Sequence, residues 1–115
     1  MKDLKGRTKR FALDVIRFCA DLPKQQVLWI IGKQLIRSAC SVGANYRSSC
    51  RAKSKADFIA KLSIVEEETD ESMYWLELLK ELEQGEKENF KKLYNEANEI
   101  IAIIVKSKKT ARERD

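Results

Sequence analysis

The sequence predicts an all-α protein that folds as an antiparallel up-down-up-down four-helix bundle. Hydrophobic residues make up 43% of the 115 residues and charged residues 36%, which is typical of helices with a buried face and a solvated face. One proline and four glycines are too few for a turn-rich β protein. Apolar residues recur at steps of three and four in four segments. The length favours one domain, residues 1–115.

The first two helices are predicted at residues 8–22 and 24–51. Pro23 separates them, because proline disfavours helical geometry in the residue before it. Gly32 and Gly43 lie inside the second helix, where each costs about 1 kcal/mol relative to alanine. We therefore expect another backbone to approach closely at these glycines. The predicted seams are Phe11, Val15, Phe18 and Leu22 in the first helix, and Leu28, Ile31, Leu35, Ala39, Val42 and Tyr46 in the second.

The third and fourth helices are predicted at residues 55–83 and 87–108, with residues 110–115 frayed. Ser54 and Asp57 have the spacing of a capping box at the start of the third helix. Gln84-Gly85 breaks the chain before the fourth. Short connections make successive helices antiparallel. The predicted seams are Phe58, Leu62, Val65, Thr69, Met73, Leu76 and Leu79, and then Phe90, Leu93, Ala97, Ile101 and Ile104.

The third helix has a second apolar stripe nearly opposite its seam. One stripe is enough to join a monomeric bundle, so a second one indicates a surface that another molecule covers. We interpret it as a subunit interface. The alternative is a broad core face with a partly exposed Trp75. The interface residues are Ile64, Trp75, Leu78 and Leu82, with Ala60 on the same stripe.

Charge is unevenly distributed along the chain. Residues 1–61 contain 14 Lys or Arg and 4 Asp or Glu, whereas residues 62–115 contain 9 and 14. This asymmetry indicates either contact with a polyanion or the packing of a basic hairpin on an acidic one.

A set of basic side chains follows one side of the second helix into the turn after it, and we predict that this set binds the backbone of RNA or DNA without reading bases. Alternatively, Arg37 and Arg47 pair with an acidic helix of the same or a neighbouring subunit. The predicted nucleic-acid-binding residues are Lys33, Arg37, Arg47, Arg51, Lys53 and Lys55.

The residue types present exclude several kinds of enzyme. Without histidine, the chain has no His-based triad and no Glu-x-x-His di-iron site. It has no glycine-rich phosphate loop. Two Glu-x-x-Glu pairs, Glu68 with Glu71 and Glu96 with Glu99, keep open a Mg²⁺-dependent nucleotide pyrophosphatase. Helical charge runs are usually solvated faces. We predict no catalytic residues, metal or cofactor.

Cysteine usage and hydropathy bear on the compartment. Cys19, Cys40 and Cys50 are odd in number and lack Cys-x-x-Cys spacing, so buried free thiols in a reducing cytoplasm are expected. No stretch approaches the 18 or so apolar residues of a membrane span. Asp14 and Arg17 interrupt the apolar part of the amino-terminal segment, so no secretory signal is expected.

Four segments resemble the bacterial four-helix-bundle proteins of the 23S rRNA intervening-sequence family. They are Ile31-Gly32-Lys33-Gln34-Leu35-Ile36-Arg37-Ser38, Ser41-Val42-Gly43-Ala44-Asn45-Tyr46-Arg47, Ser54-Lys55-Ala56-Asp57-Phe58-Ile59-Ala60-Lys61-Leu62, and Tyr74-Trp75-Leu76-Glu77-Leu78-Leu79. With the first helix, the similarity covers most of residues 8–82. Relatives often carry Glu-Ala where this chain has Ser48-Ser49, which leaves the face near Arg47 more basic.

The resemblance implies a four-helix bundle that assembles as a homopentamer, and it supplies no catalytic residues. The family also resembles accessory proteins of diversity-generating retroelements, which assist a reverse transcriptase through basic surfaces. We therefore expect a cytoplasmic, non-enzymatic, homo-oligomeric accessory protein that binds RNA or DNA and has no membrane partner. A reverse transcriptase or another protein is a further candidate partner. The alternative is an assembly module that does not bind nucleic acid.

Overall fold

The computed structural model describes residues 3–114 and contains four helices over that range. They are α1 (Leu4–Ala20), α2 (Gln26–Ser49), α3 (Lys55–Glu81) and α4 (Lys87–Glu113). Each helix packs on the next along the chain, and α1 closes the bundle against α4. The molecule measures 51 × 22 × 21 Å. This confirms the predicted all-α class and bundle. Within the described residues, no helix has the length and apolar character needed to span a bilayer.

Two helix ends differ from the prediction by more than two residues. Helix α1 begins at Leu4 rather than at residue 8, because the Asp3 carboxylate accepts a hydrogen bond from the Gly6 N–H at 3.0 Å and caps the helix. Helix α4 continues to Glu113, so the prediction of fraying is wrong for residues 110–113. Lys55 of α3 donates to the carbonyl oxygens of Arg112 and Arg114 and holds this end. Asp115 lies outside the described residues.

The predicted seams form the core. Most of their residues are buried, including Phe11, Val15 and Leu35. Ile100 is fully buried although it was not assigned to a seam, and its neighbour Ile101 is only half-buried. The remaining seam residues that are half-buried are Leu22, Ile31, Tyr46, Phe58 and Phe90.

Small residues bring the helices close together. A Cβ atom on Gly43 would lie 3.4 Å from the backbone carbonyl of Thr8, so the predicted close approach of α1 to α2 is confirmed there. At Gly32 the nearest atoms belong to side chains, at 3.8 Å, and the prediction of a backbone neighbour is wrong. Between α2 and α3, the buried hydroxyls of Ser38 and Ser72 are 2.8 Å apart and hydrogen-bonded. Small residues therefore allow close packing of α2 against both α1 and α3.

The start of α3 has the predicted cap with one change. The Ser54 hydroxyl accepts the Asp57 N–H at 3.0 Å, as a capping box requires. The Asp57 carboxylate accepts the N–H of Lys53 instead of that of Ser54, at 3.1 Å. Together with the Lys61 ammonium, this bond lowers the pKa of Asp57. The cap thereby fixes the α2–α3 turn at the backbone of Lys53.

The end of α3 contains a residue in an unfavourable conformation. Glu83 has φ 56°, in the left-handed region that glycine adopts at the end of many helices. The N–H groups of Glu83 and Gln84 donate to the carbonyls of Lys80 and Leu79, the Schellman pattern. Glu83→Gly should therefore raise the unfolding free energy, by about 0.5 to 1 kcal/mol.

The matched control is Glu81→Gly, inside the same last turn. Glycine there should lower the unfolding free energy by about 1 kcal/mol, because the position has ordinary helical geometry. Chemical denaturation of both variants measures the two shifts. Shifts of the same sign would contradict the assignment of this turn.

Candidate nucleic-acid interface

Folding sorts charge along the long axis of the bundle. The halves of the helices nearer to the α2–α3 turn, residues 3–11, 42–66 and 101–114, contain 14 Lys or Arg and 4 Asp or Glu. The other halves, residues 12–41 and 67–100, contain 8 and 13. We call these the basic end and the acidic end. Charge of one sign concentrated at one end of an elongated molecule attracts and orients a polyanion.

The predicted basic residues divide between the two ends. Lys33 and Arg37 lie in the part of α2 that belongs to the acidic end. Along the helix axis, Lys33 is about 21 Å and Arg37 about 15 Å from Arg47. Arg47, Arg51 and Lys53 lie at the basic end. These five residues are all exposed. The structure thus brings the turn residues together with Arg47 and separates Lys33 and Arg37 from them.

Arg37 is engaged within the chain. Its guanidinium donates to Glu68 at 3.1 Å and to Glu71, so the alternative of pairing with the acidic third helix is correct for this residue. These bonds raise the pKa of Arg37, that to Glu68 most. Arg47, in contrast, has no ion pair within residues 3–114. Its charge is available to a partner.

Lys55 also has an internal role. Its ammonium donates to the carbonyl oxygens at the end of α4, where positive charge is stabilised by the helix dipole. Helix α4 in turn adds Lys106, Lys109 and Arg112 to the basic end, and all three are exposed. These α4 residues were not predicted as site residues. The signal was present in the sequence, because they follow the last seam residue at the same end as the α2–α3 turn.

Each of the two Glu-x-x-Glu pairs is held by an arginine from another helix. Arg7 of α1 donates to both carboxylate oxygens of Glu96, at 2.9 and 2.6 Å, and to Glu99 at 2.9 Å. These bonds raise the pKa of Arg7. Arg37 holds Glu68 and Glu71 in the same way. Over residues 3–114, no group of three or more Cys, Asp or Glu side chains is arranged to hold a metal ion.

The pKa of Glu71 is lowered. The main cause is the Trp75 indole N–H, which donates to the carboxylate at 3.0 Å, and the next is the hydrogen bond from Arg37. A carboxylate whose folded pKa lies below its ordinary value of 4.5 stabilises the folded state above that value. The stabilisation is lost as pH falls through the folded pKa. We therefore expect Glu71→Gln to lower stability at pH 7 by less than about 1 kcal/mol, and to flatten the loss of stability below pH 4.5.

The measurement is the denaturation midpoint between pH 7 and pH 3. Glu67→Gln is the matched control, because Glu67 is exposed on the same helix and has no ion pair in the described part of the chain. A control profile as flat as that of Glu71→Gln would contradict the prediction.

The predicted interface stripe on α3 is only partly exposed in one copy of the chain. Leu82 is 50% exposed and Ile64 40%, whereas Trp75 and Leu78 are half-buried. Trp75 is oriented by its bond to Glu71. Both earlier interpretations thus retain support, since part of the stripe widens the core and part faces outward.

A larger apolar surface at the start of α2 was not predicted. Trp29 is 63% exposed, Val27 62% and Ile30 54%. Trp29 lines a groove of about 550 Å³ between α1 and α2, together with Ile16 and Ile36. These residues flank the seam positions Leu28 and Ile31, and the spacing of a seam does not indicate which of its apolar neighbours stay exposed.

The cysteines are free, as predicted, but two of them are not buried. Cys40 and Cys50 are exposed. Cys40 lies outside the seam of α2, and Cys50 follows the last residue of that helix. Cys19 is half-buried against the Gly32 carbonyl, 3.8 Å from its sulfur, and burial raises the pKa of this thiol to about 12. Cys19 is therefore a thiol, not a thiolate, at neutral pH.

Comparison with known proteins identifies relatives. Residues 3–106 match the family model described as 23S rRNA-intervening sequence protein. A crystal structure of a protein from Bacteroides thetaiotaomicron, described as a protein with unknown function from the S23 ribosomal protein family, superposes with a TM-score of 0.86 and 34% sequence identity. The alignment covers 93% of this chain and 99% of that one. The comparison with curated proteins found no match. The chain belongs to the 23S rRNA-intervening sequence protein family.

Proposed function

We propose that this protein is a non-enzymatic accessory factor that binds the backbone of RNA or DNA through its basic end. The observation that carries the proposal is the charge of that half of the bundle, which contains 14 cationic and 4 anionic residues. Exposed lysine and arginine side chains neutralise phosphates and release bound counterions. The spacing of the basic residues resembles no groove-reading helix-turn-helix, so affinity should be insensitive to base sequence.

Within the predicted site, Arg47, Arg51 and Lys53 are the proposed phosphate contacts. Arg37 and Lys55 act mainly inside the fold, and Lys33 lies toward the acidic end. The acidic end would repel a phosphate backbone and so orient the molecule with its α2–α3 turn toward the nucleic acid. A reverse transcriptase or another nucleic-acid enzyme is a proposed protein partner of such a factor.

The test is binding of the unmodified chain to labelled RNA and DNA oligonucleotides of several sequences, at a series of salt concentrations. The proposal expects similar affinities across sequences and a steep fall with salt. A chain that binds no oligonucleotide at low salt would instead be an assembly module without nucleic-acid affinity.

We further propose that copies of the chain associate, with five as the expected number. Exposed apolar side chains lie on both sides of α2. Trp29 belongs to the groove with α1, whereas Ile30 is two turns before Arg37 and so on the side that reaches α3, where Leu82 extends the apolar surface. Large exposed apolar surfaces usually mark interaction sites. Two different surfaces on one chain favour head-to-tail contacts, which close into a ring when the rotation permits.

A Mg²⁺-dependent pyrophosphatase is disfavoured by the arginine partners of the four glutamates. Arg7 and Arg37 neutralise the carboxylates that would have to ligate the metal, and binding of Mg²⁺ would require these ion pairs to break. Release of phosphate or pyrophosphate from a panel of nucleotides with Mg²⁺ would revive this alternative.

A further inference from the structure

A cleft of about 970 Å³ opens at the basic end, where α1 and α3 begin and α2 and α4 end. Its charged lining residues are Lys55, Lys106 and Arg114, and no Asp or Glu of residues 3–114 lines it. The remaining lining is apolar or carries hydroxyl groups. Because the charged side chains of this described lining are positive, the cleft is complementary to an anion.

The interior of the cleft also suits a flat apolar group. Two aromatic side chains line it, Tyr46 of α2 and Phe58 of α3, together with Leu4 and Ile103. Both aromatic residues are half-buried, although both were assigned to seams and expected in the core. Burial, and then the neighbouring Cys50, raise the pKa of Tyr46 to about 12, so its hydroxyl stays protonated and keeps its capacity to donate a hydrogen bond. Aromatic side chains beside cationic ones are the usual means of holding unpaired bases.

We infer that this cleft holds an unpaired nucleotide of a single-stranded nucleic acid, with the base against Phe58 and Tyr46 and its phosphates at Lys106 and Arg114. The inference rests on the proposed function and adds a preference for single strands. A volume of this order accommodates a small ligand. A base in a duplex would first have to unstack and unpair. This step costs free energy, whereas a base in a single strand is already unpaired.

The experiment compares a single-stranded oligonucleotide with the duplex of the same sequence, by fluorescence anisotropy on the full chain. The unmodified protein should prefer the single strand. Phe58→Leu keeps an apolar side chain and removes the ring, so affinity for the single strand should fall about tenfold, with duplex affinity and salt dependence unchanged. Lys106→Gln should reduce the salt slope for the single strand by about 0.7.

Lys87→Gln, an exposed lysine at the acidic end, is the control for loss of one charge and should change neither affinity. Thermal melts establish whether Phe58→Leu is folded. If it is not, the comparison uses Lys106→Gln, whose loss of affinity should be larger for the single strand than for the duplex. One outcome is that the unmodified protein binds single strand and duplex equally well and that Phe58→Leu or Lys106→Gln binds as the unmodified protein does. This outcome would overturn the proposed nucleotide site in the cleft and leave the proposed backbone binding intact. Binding to neither form would overturn both.

Discussion

Replacing Arg47, Arg51 and Lys53 together by alanine should weaken binding to RNA and DNA of any sequence. Each side chain is exposed at the basic end, and each phosphate contact contributes about 0.7 to the salt slope for a single strand. Loss of three contacts should reduce the slope by about 2. Because the electrostatic contribution to affinity becomes small near 1 M salt, the corresponding loss at 0.1 M is on the order of 100-fold.

The matched control replaces Lys87, Lys91 and Lys92 by alanine. These lysines are exposed at the acidic end, so the control makes the same change in net charge at the other end of the bundle. It should bind nearly as well as the unmodified chain. Equal losses in the two triple variants would mean that affinity follows net charge alone, and the basic end would have no special part in it.

Arg37→Ala separates the two roles assigned to the basic residues. Because its guanidinium bonds to Glu68 and Glu71, its removal leaves two carboxylates without their partner on α2. We expect lower stability with little change in the salt slope. This result would assign the arginine to the framework of the bundle rather than to the interface.

The helices could be predicted from the sequence because apolar spacing is a local property. Each seam is a period of three and four within one segment, and the turns are marked by Pro23, Ser54 and Gly85. The helix ends were less predictable. The end of α4 depends on Lys55, which is 57 residues away along the chain, and no local pattern indicates such a partner.

The candidate site was predictable to the same degree and for the same reason. A helical arc identifies which basic side chains share one side of α2, but not which of them an acidic neighbour has already engaged. The pair of Arg7 with Glu96 joins residues 89 positions apart. The exposure of Trp29 likewise depends on the groove that α1 and α2 leave between them. Periodicity assigns residues to a face, and only packing determines what covers that face.

Replacing Trp29 by glutamate should convert an associating chain into monomers. Trp29 is 63% exposed in one copy, and burial of a large apolar side chain contributes about 1.5 to 3 kcal/mol per contact. A buried, unpaired carboxylate would add a further free-energy penalty.

Leu82→Glu, on the α3 side, should have the same effect. Val105→Glu is the control, because Val105 is 45% exposed on α4, away from both surfaces. The mass in solution measures all three.

Mixing the two monomeric variants distinguishes the geometry of association. If the groove side of one copy meets the α3 side of the next, each variant keeps one intact surface, and a mixture should form a heterodimer joined through the two unmodified sides. The damaged sides remain at its ends, so growth stops at two. In a contact between identical surfaces, each variant would retain one self-complementary side and would form dimers without its counterpart. Monomers in the mixture, or dimers of either variant alone, would therefore rule out head-to-tail contacts.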